Sequence, residues 1–287
     1  MVWPIPLPEK KTMSDPADLQ RAPTGDAGNK TSLQRGIAIL RAIAAHGGSG
    51  VRLTDLARDL EMTPPTVHRL LKALVAEGMI DHDTQGKRYR LGLDLFVLAA
   101  QAGSCGTLRD LARPILLRLS ATLRETVFLL VRNGFDAICL DRAEGPFPIR
   151  SFTGDIGGRV MLGIGQGSLT ILAHLPEDEQ QEVIRFNLPR MQGMGFLDEV
   201  YLRTAIAKVK AQGYASQHSG LLPGMSGVAV PVFDRQGRAV AALSIGTPTD
   251  RLTDERLTVV VDILRREAAG ISRQLNPFDP ALSRPGV

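Results

Sequence analysis

The segment that begins at Thr63 constrains the fold most, because it predicts a short helix with two unlike faces. Thr63 is a typical N-cap residue, and Pro64 is allowed at the first helical position, where its missing amide has no intrahelical partner. Apolar side chains recur at spacings of three and four, and a mostly polar set recurs on the opposite side. One face therefore packs on a core while the other can contact a partner. The apolar stripe consists of Val67, Leu70, Leu71 and Leu74, and the opposite stripe consists of Pro65, His68, Arg69 and Lys72.

The flanking residues complete a recognisable arrangement. Ser32 is expected to cap a first helix and Thr54 a short second helix, since both precede apolar residues at helical spacing. After the third helix, residues 79–82 and 87–91 predict the two strands of a hairpin. The order of three helices and a basic hairpin predicts a winged helix-turn-helix over residues 31–92.

The charge distribution indicates the partner of this module. Residues 32–92 carry nine basic and six acidic side chains, whereas residues 93–287 carry 21 and 20. A basic module joined to a nearly neutral body favours a polyanion, and the major groove of DNA, about 12 Å wide, accepts one helix. We therefore expect the module to bind double-stranded DNA. The candidate DNA-binding residues are Arg35, Arg52, Thr63, Pro65, Thr66, His68, Arg69, Lys72, Lys87, Arg88 and Arg90.

Several classes of protein are disfavoured. No apolar run approaches the ~18–20 residues that span a bilayer, so no membrane partner is expected. Cys105 and Cys139 provide neither a disulfide framework nor a zinc spacing, which favours a reducing cytoplasm. The glycines of 163–167 do not fit a dinucleotide loop, and residues 224–227 lack the spacing of a nucleophile elbow. We expect no catalytic residue, metal or cofactor, and hence not an enzyme.

The remaining segments differ in composition. Residues 1–30 hold five of the 18 prolines and little apolar periodicity, so they predict a disordered tail in which Met13 is an alternative start. Residues 93–104 predict an apolar linker helix, which is also the expected contact of a homodimer. A folded body over residues 105–276 and a short tail over residues 277–287 follow.

The body combines strands and helices. Strands are predicted at 127–132 and 137–142, on either side of an Asn-Gly hairpin signal, and a third at 148–152. Helices are predicted at 199–212 and 253–274, with further strands between them. Antiparallel strands interleaved with helices indicate an α+β fold rather than a doubly wound parallel sheet.

Short motifs along the chain resemble those of the IclR-type bacterial transcriptional regulators, in the same order and spacing. The resemblance covers roughly residues 32–275 and implies a GAF-like ligand-sensing fold for the body, in a homodimer or a tetramer. In the N-terminal module the motifs are Ser32–Gly36, Leu53–Ala57, Thr66–Leu71 and Tyr89–Gly92. In the body they are Gly157–Arg159, Leu172–Pro176, Gly213-Tyr214, Gly227–Val232 and Ala241–Ile245.

The resemblance also implies an effector site for a small carboxylate. Some relatives have Asp, Cys and a second Ser at the positions of Gln217, Gly227 and Gly246, so polar contacts to a very small keto acid are partly missing here. This difference predicts a larger or less polar acid. The candidate effector-binding residues are Met161, Leu162, Gln166, Gly167, Gln217, Gly227, Ser244 and Gly246, with Leu222 and Met225 as further candidates for the wall.

The sequence as a whole predicts a cytoplasmic, sequence-specific DNA-binding transcriptional regulator, a repressor or an activator, whose operator affinity a small organic acid modulates. Two alternatives stay open at this point. One is an enzyme with an appended DNA-targeting head, and the other is an architectural DNA-binding protein.

Overall fold

A computed structural model describes residues 31–101, 105–147, 149, 155–194, 197–217 and 222–275. The tails predicted at 1–30 and 277–287 lie outside these residues, as does the strand predicted at 148–152 apart from Ile149. The chain divides into two compact units between Gly106 and Thr107, and each is taken by itself below.

The N-terminal unit is a winged helix-turn-helix, which confirms the predicted order of elements. The two strands of the wing pair antiparallel, with Ile80 opposite Leu91 and Asp83 opposite Arg88. The helices are α1 (Ser32–Ala45), α2 (Leu53–Asp59), α3 (Pro64–Ala76) and α4 (Leu93–Gln101), and the strands are β1 (Ile80–Asp83) and β2 (Arg88–Leu91), with a short 3₁₀ turn at Gly47–Ser49.

The apolar stripe of α3 forms the centre of this unit. Val67, Leu70 and Leu71 are buried, and Leu74 is partly buried against them. This burial supplies most of the stability of a helix of this length, because propensity alone leaves helices of about 12–15 residues marginal in water. The other buried members of the core are Ile39, Ile43, Val51, Leu56, Ala57, Ile80 and Tyr89.

Two predicted helix caps are wrong. Thr31, not Ser32, caps α1: its hydroxyl accepts from the Gln34 amide at 3.3 Å, and the Gln34 side chain accepts from the Thr31 amide at 2.9 Å. This reciprocal pair satisfies two amides at once, which Ser32 cannot do. Thr54 lies inside α2, because a backbone bridge between Val51 and Tyr89 ends the extended segment early and the helix begins directly afterwards.

The body is an α+β unit, as predicted, built on one six-stranded sheet. The strand order is β5-β4-β3-β8-β7-β6, and all neighbours are antiparallel. Its helices are α5 (Cys105–Leu123), α6 (Gln166–Ala173), α7 (Glu177–Asn187), α8 (Glu199–Gln212) and α9 (Asp254–Gln274). Its strands are β3 (Thr126–Asn133), β4 (Asp136–Ala143), β5 (Arg159–Met161), β6 (Ala215–Gln217), β7 (Met225–Phe233) and β8 (Ala239–Pro248), with 3₁₀ turns at Leu188–Met191 and Thr249–Arg251.

Helices cover both faces of this sheet. Phe128 lies opposite Ser244, which lies opposite Ala229, and this row faces α6, α7 and α8. The adjacent row, in which Ile245 lies between Val127 and Val228, faces α5 and α9. Each face therefore has its own core. In the described part of the chain, no helix is both long and apolar enough to cross a membrane.

Candidate functional site

The side of α3 away from the core faces solvent. Pro65, His68, Arg69 and Lys72 are all exposed, as their helical spacing predicts. Thr66 is partly buried, and its hydroxyl lies 2.9 Å from that of Thr63. The first turn therefore has a fixed local structure, while the long side chains that follow it can reach a partner.

The cations of this unit are largely without acidic partners. In the described part of the chain, no carboxylate lies within 4.0 Å of the charged nitrogens of five candidate residues. By contrast, many arginines of the body form ion pairs, as Arg113 does with Asp141 at 3.1 Å. Positive side chains that the protein leaves unneutralised attract a polyanion such as the phosphate backbone. The five residues are Arg35, Arg52, Arg69, Lys72 and Lys87.

The three cations of the wing have different surroundings. Lys87 is exposed at the tip, with a positive φ of 49°. Arg88 donates from Nη1 to the carbonyl oxygens of Gly50 at 2.8 Å and Ser49 at 3.4 Å, so its guanidinium attaches the wing to the loop before α2. Arg90 is exposed, on the same side of β2 as Arg88.

An acidic residue fixes the turn of the wing. The Asp83 carboxylate accepts hydrogen bonds from the amides of Gly86 and Gln85, both at 3.1 Å. The bond from Gly86 is the main cause that holds the pKa of Asp83 below its ordinary value of 3.8, and the bond from Gln85 and the positive charge of Arg90 add to it. Asp83 is therefore ionised at neutral pH and stabilises the turn that presents Lys87.

The body brings most of the candidate effector residues together. Gly227 pairs with Gly246 on one side and with Gln217 on the other. A Cβ atom on Gly227 would lie 3.1 Å from Cγ of Gln166, which begins α6. A Cβ atom on Gly167 would likewise lie 3.3 Å from the hydroxyl oxygen of Ser244. These six residues form the strand-and-helix cluster: Gln166, Gly167, Gln217, Gly227, Ser244 and Gly246.

The start of α6 lies at this cluster. The N-cap of α6 is Gly165, with a φ of 76°, and this residue has no side chain that could cap the first turn. The start of a helix attracts anions, because its unsatisfied amides and the positive end of its dipole point the same way. Leu222, three residues before β7, and Met225, the first residue of β7, are partly buried. The side chain of Gln217 lies outside the described atoms.

Two candidate residues are placed elsewhere. Met161 pairs with Asp136, at the hairpin end of β3 and β4, whereas Gly246 pairs with Thr126 at the opposite end of β3. Met161 and Leu162 are both buried in the core under α6. The structure therefore does not bring these two side chains to the strand-and-helix cluster.

The sequence interpretation missed two apolar neighbours of the cluster. A Cβ atom on Gly246 would lie 2.6 Å from Cδ1 of Ile149 and 3.5 Å from Cε2 of Phe128. The alternation of β3 could have indicated Phe128, because it shares a face with Ser244. No local pattern could have indicated Ile149.

The described residues contain no group of three or more histidine, cysteine, aspartate or glutamate side chains arranged to hold a metal ion. Cys139 is buried in β4. Gly163 and Gly165 have positive φ angles, of 106° and 76°. Because glycine adopts such angles without strain, backbone conformation explains why the loop before α6 is rich in glycine.

Comparisons with known proteins agree with these observations. Residues 32–84 match the IclR helix-turn-helix domain, and residues 102–273 match the domain described as "Bacterial transcriptional regulator IclR C-terminal". The chain is 33% identical to the HTH-type transcriptional regulator BhcR of Paracoccus denitrificans (strain Pd 1222), over 90% of this chain and 92% of that protein. It is 29% identical to the HTH-type transcriptional repressor AllR of Escherichia coli (strain K12), over 85% of this chain and 90% of that protein.

A solved structure is also similar. The IclR homolog of Microbacterium hydrocarbonoxydans, crystallised in complex with 4-hydroxybenzoate, superposes with a TM-score of 0.71 at 26% identity and covers 85% of this chain and 99% of its own. The family match over the body and the identity to a regulator along nearly the whole chain lead to one conclusion. The protein is a member of the IclR family of bacterial transcriptional regulators.

Proposed function

We propose that this regulator binds a specific operator, with α3 in the major groove and the wing along the neighbouring phosphates. The observation that carries the proposal is the exposed face of α3, on which Arg69 and Lys72 have no carboxylate within 4.0 Å among the described residues. Arg69 is suited to a base edge, because its guanidinium can donate two parallel hydrogen bonds. Lys87 is suited to a phosphate contact. The remaining candidate DNA-binding residues of the module would complete the interface.

The effector in this proposal is a small organic acid that binds at the strand-and-helix cluster. The amides at the start of α6 supply a site for a carboxylate, and Phe128 and Ile149 supply apolar contacts. Glycine at positions 227 and 246 provides fewer polar contacts than a keto acid needs, so an aromatic or aliphatic carboxylate is favoured. The 4-hydroxybenzoate in the Microbacterium relative is a compound of this class.

A homodimer fits the mechanism best. Leu93 and Leu98 on α4 are 70% and 51% exposed, and Val97 is also exposed, so this helix has an apolar surface for a second copy. Two copies would set two recognition helices into successive major grooves, about 34 Å apart, on a near-palindromic operator in the cytoplasm. A tetramer would pair two such dimers. A coupling of about 1–3 kcal/mol between effector and DNA would change operator affinity about 5–150-fold.

The decisive experiment is footprinting of the DNA upstream of the protein's own gene, with and without a panel of aromatic and aliphatic acids. We expect a protected site of two half-sites, binding that weakens steeply between about 50 and 200 mM salt, and one acid that shifts the affinity. Equal binding to a scrambled site would contradict operator recognition and favour an architectural role. Turnover of an acid would favour an enzyme, and the absence of any thermal shift with the whole panel would contradict the effector site.

A further inference from the structure

A groove of about 420 Å³ lies between α5 and α9, the helices on the sheet face opposite to the strand-and-helix cluster. Its apolar side is formed by Leu111, Pro114 and Ile115 of α5. Its volume falls in the range of about 300–1,000 Å³ that small-molecule sites occupy. None of the candidate effector residues lines it.

The groove carries positive charge that the described chain leaves partly uncompensated. Arg118 of α5 pairs with Glu267 of α9 at 2.5 Å, which bridges the two helices. Arg266 and Arg273 also line the groove, both are exposed, and neither has a carboxylate within 4.0 Å among the described residues. They are two helical turns apart on α9, so both guanidinium groups lie along one side of the groove.

Gly270 lies between these two arginines. Its φ is not positive, and a Cβ atom there would meet no nearer atom than Nη2 of Arg273, at 4.0 Å. Glycine inside a helix is destabilising relative to alanine, and neither conformation nor packing within the described chain requires it here. The missing side chain instead leaves the backbone of α9 open to close approach from the groove.

We infer that this groove is a second binding site for an organic carboxylate with an apolar body, separate from the strand-and-helix cluster. Leu111, Pro114 and Ile115 would contact the hydrocarbon, and Arg266 and Arg273 would bind the carboxylate. A symmetric contact with a second copy through this groove is disfavoured, because it would bring the arginines of the two copies together. The inference is independent of DNA binding.

Methyl NMR of the full chain tests this site directly. Benzoate is added up to about 10 mM. The methyl signals of Leu111 and Ile115 report on the groove. Those of Leu130 report on the region of the strand-and-helix cluster. We expect Leu111 and Ile115 to shift in a saturable manner, with benzamide producing no shift because it lacks the charge. Absence of a shift at both groove residues would overturn the inference. Equal shifts with acetate or sulfate would also overturn it, since they would indicate an adventitious ion only.

Variants identify the groups that bind. Arg266→Gln with Arg273→Gln should weaken the response of Leu111 and Ile115 to benzoate about tenfold, while any response at Leu130 is unchanged. Gly270→Leu should remove the groove response by filling the space, and the open surroundings of Gly270 allow the chain to fold. The matched control is Arg185→Gln with Arg235→Gln, which removes the same charge from exposed positions outside the groove. A control that weakens binding equally would overturn the assignment.

Discussion

Arg88 donates a hydrogen bond to the carbonyl oxygen of Gly50 at 2.8 Å, across 38 positions of the sequence. This bond joins β2 to the loop that precedes α2, next to the backbone bridge between Val51 and Tyr89. One of the three wing cations therefore supports the wing within the protein, whereas Lys87 is free to contact a phosphate. Adjacent positive residues thus have separable effects on stability and on binding.

Replacing Arg88 by Ala should lower the free energy of unfolding of the N-terminal unit by about 1 kcal/mol, because a charge-assisted bond to a partly exposed group is lost. Urea unfolding of the full chain, followed by a signal from this unit, measures the change. Lys87→Ala is the matched control and should leave the unfolding energy unaltered. Equal destabilisation by the two variants would show that the Gly50 bond contributes nothing.

Arg69→Ala should weaken operator binding by about 1–3 kcal/mol and relax the sequence preference at one base pair, because a base contact is lost. Lys87→Ala should instead weaken binding to all DNA alike and reduce the salt slope by about one unit. Fluorescence titrations with the operator, with single-base variants of it and with random DNA distinguish the two effects. An Arg69→Ala protein with its sequence preference intact would contradict base recognition by this residue.

The stability of the turn of the wing should fall at acid pH, because the Asp83 carboxylate becomes protonated there. The pKa of this carboxyl is lower in the folded state than its ordinary value of 3.8, so the ionised form stabilises the turn. That stabilisation is fully present above pH 3.8 and is lost as the pH falls through the lower, folded pKa. Chemical shifts of the Gln85 and Gly86 amides should follow this titration, and Asp83→Asn should abolish it. Amide shifts that change only near or above pH 3.8 would contradict the lowered pKa.

A buried carboxylate attaches α5 to β4. Asp141 is fully buried, with Arg113 at 3.1 Å and Arg109 at 3.5 Å from its two oxygens. Replacing both arginines by Gln should destabilise the body by about 3 kcal/mol, because the carboxylate is left buried without a cation. Calorimetry of the full chain measures the loss. The control is Arg203→Gln, whose pair with Glu199 is half exposed and is worth less than about 1 kcal/mol.

Two helical glycines should respond in opposite ways to the same substitution. Gly167→Ala places a Cβ atom 2.4 Å from Cδ1 of Leu130 in a packed core, so it should cost about 1–3 kcal/mol. Gly270→Ala meets no atom nearer than Nη2 of Arg273, at 4.0 Å, and should stabilise the body by about 0.5–1 kcal/mol. Thermal unfolding of the two variants provides the comparison. Destabilisation by both would contradict the open surroundings of Gly270.

Local signals predict much of the fold. Helix α8 has the predicted bounds, because Asp198 accepts a hydrogen bond from the Tyr201 amide at 2.7 Å and Gly213 ends the helix with a φ of 74°. The stripe of α3 is equally local, since three- and four-residue spacing determines which side chains share a face. Strand β5 is different: it has three residues and, among the described strands, pairs only with β4, so it shows too little alternation to be predicted.

Contacts that are distant in sequence could not be predicted. Glu125 is fully buried, and its Oε1 atom accepts from Arg251 at 2.9 Å and from Arg256 at 2.7 Å, more than 120 positions away. Similarly, Gly246 is a candidate through the family resemblance, yet its contact with Ile149 depends on the path of a loop. Pairing of distant segments follows from the whole sheet rather than from any window of sequence.

The position of β8 in the middle of the sheet has a consequence for synthesis. Strands β3 and β4 leave the ribosome as a hairpin, and the open edge of β3 has no neighbour until Ala239–Pro248 has been translated. The N-terminal unit needs only nearby contacts and can finish folding earlier. Translation that stops early would thus yield a folded N-terminal unit joined to an incomplete body with an exposed strand edge. Such chains would aggregate instead of binding DNA.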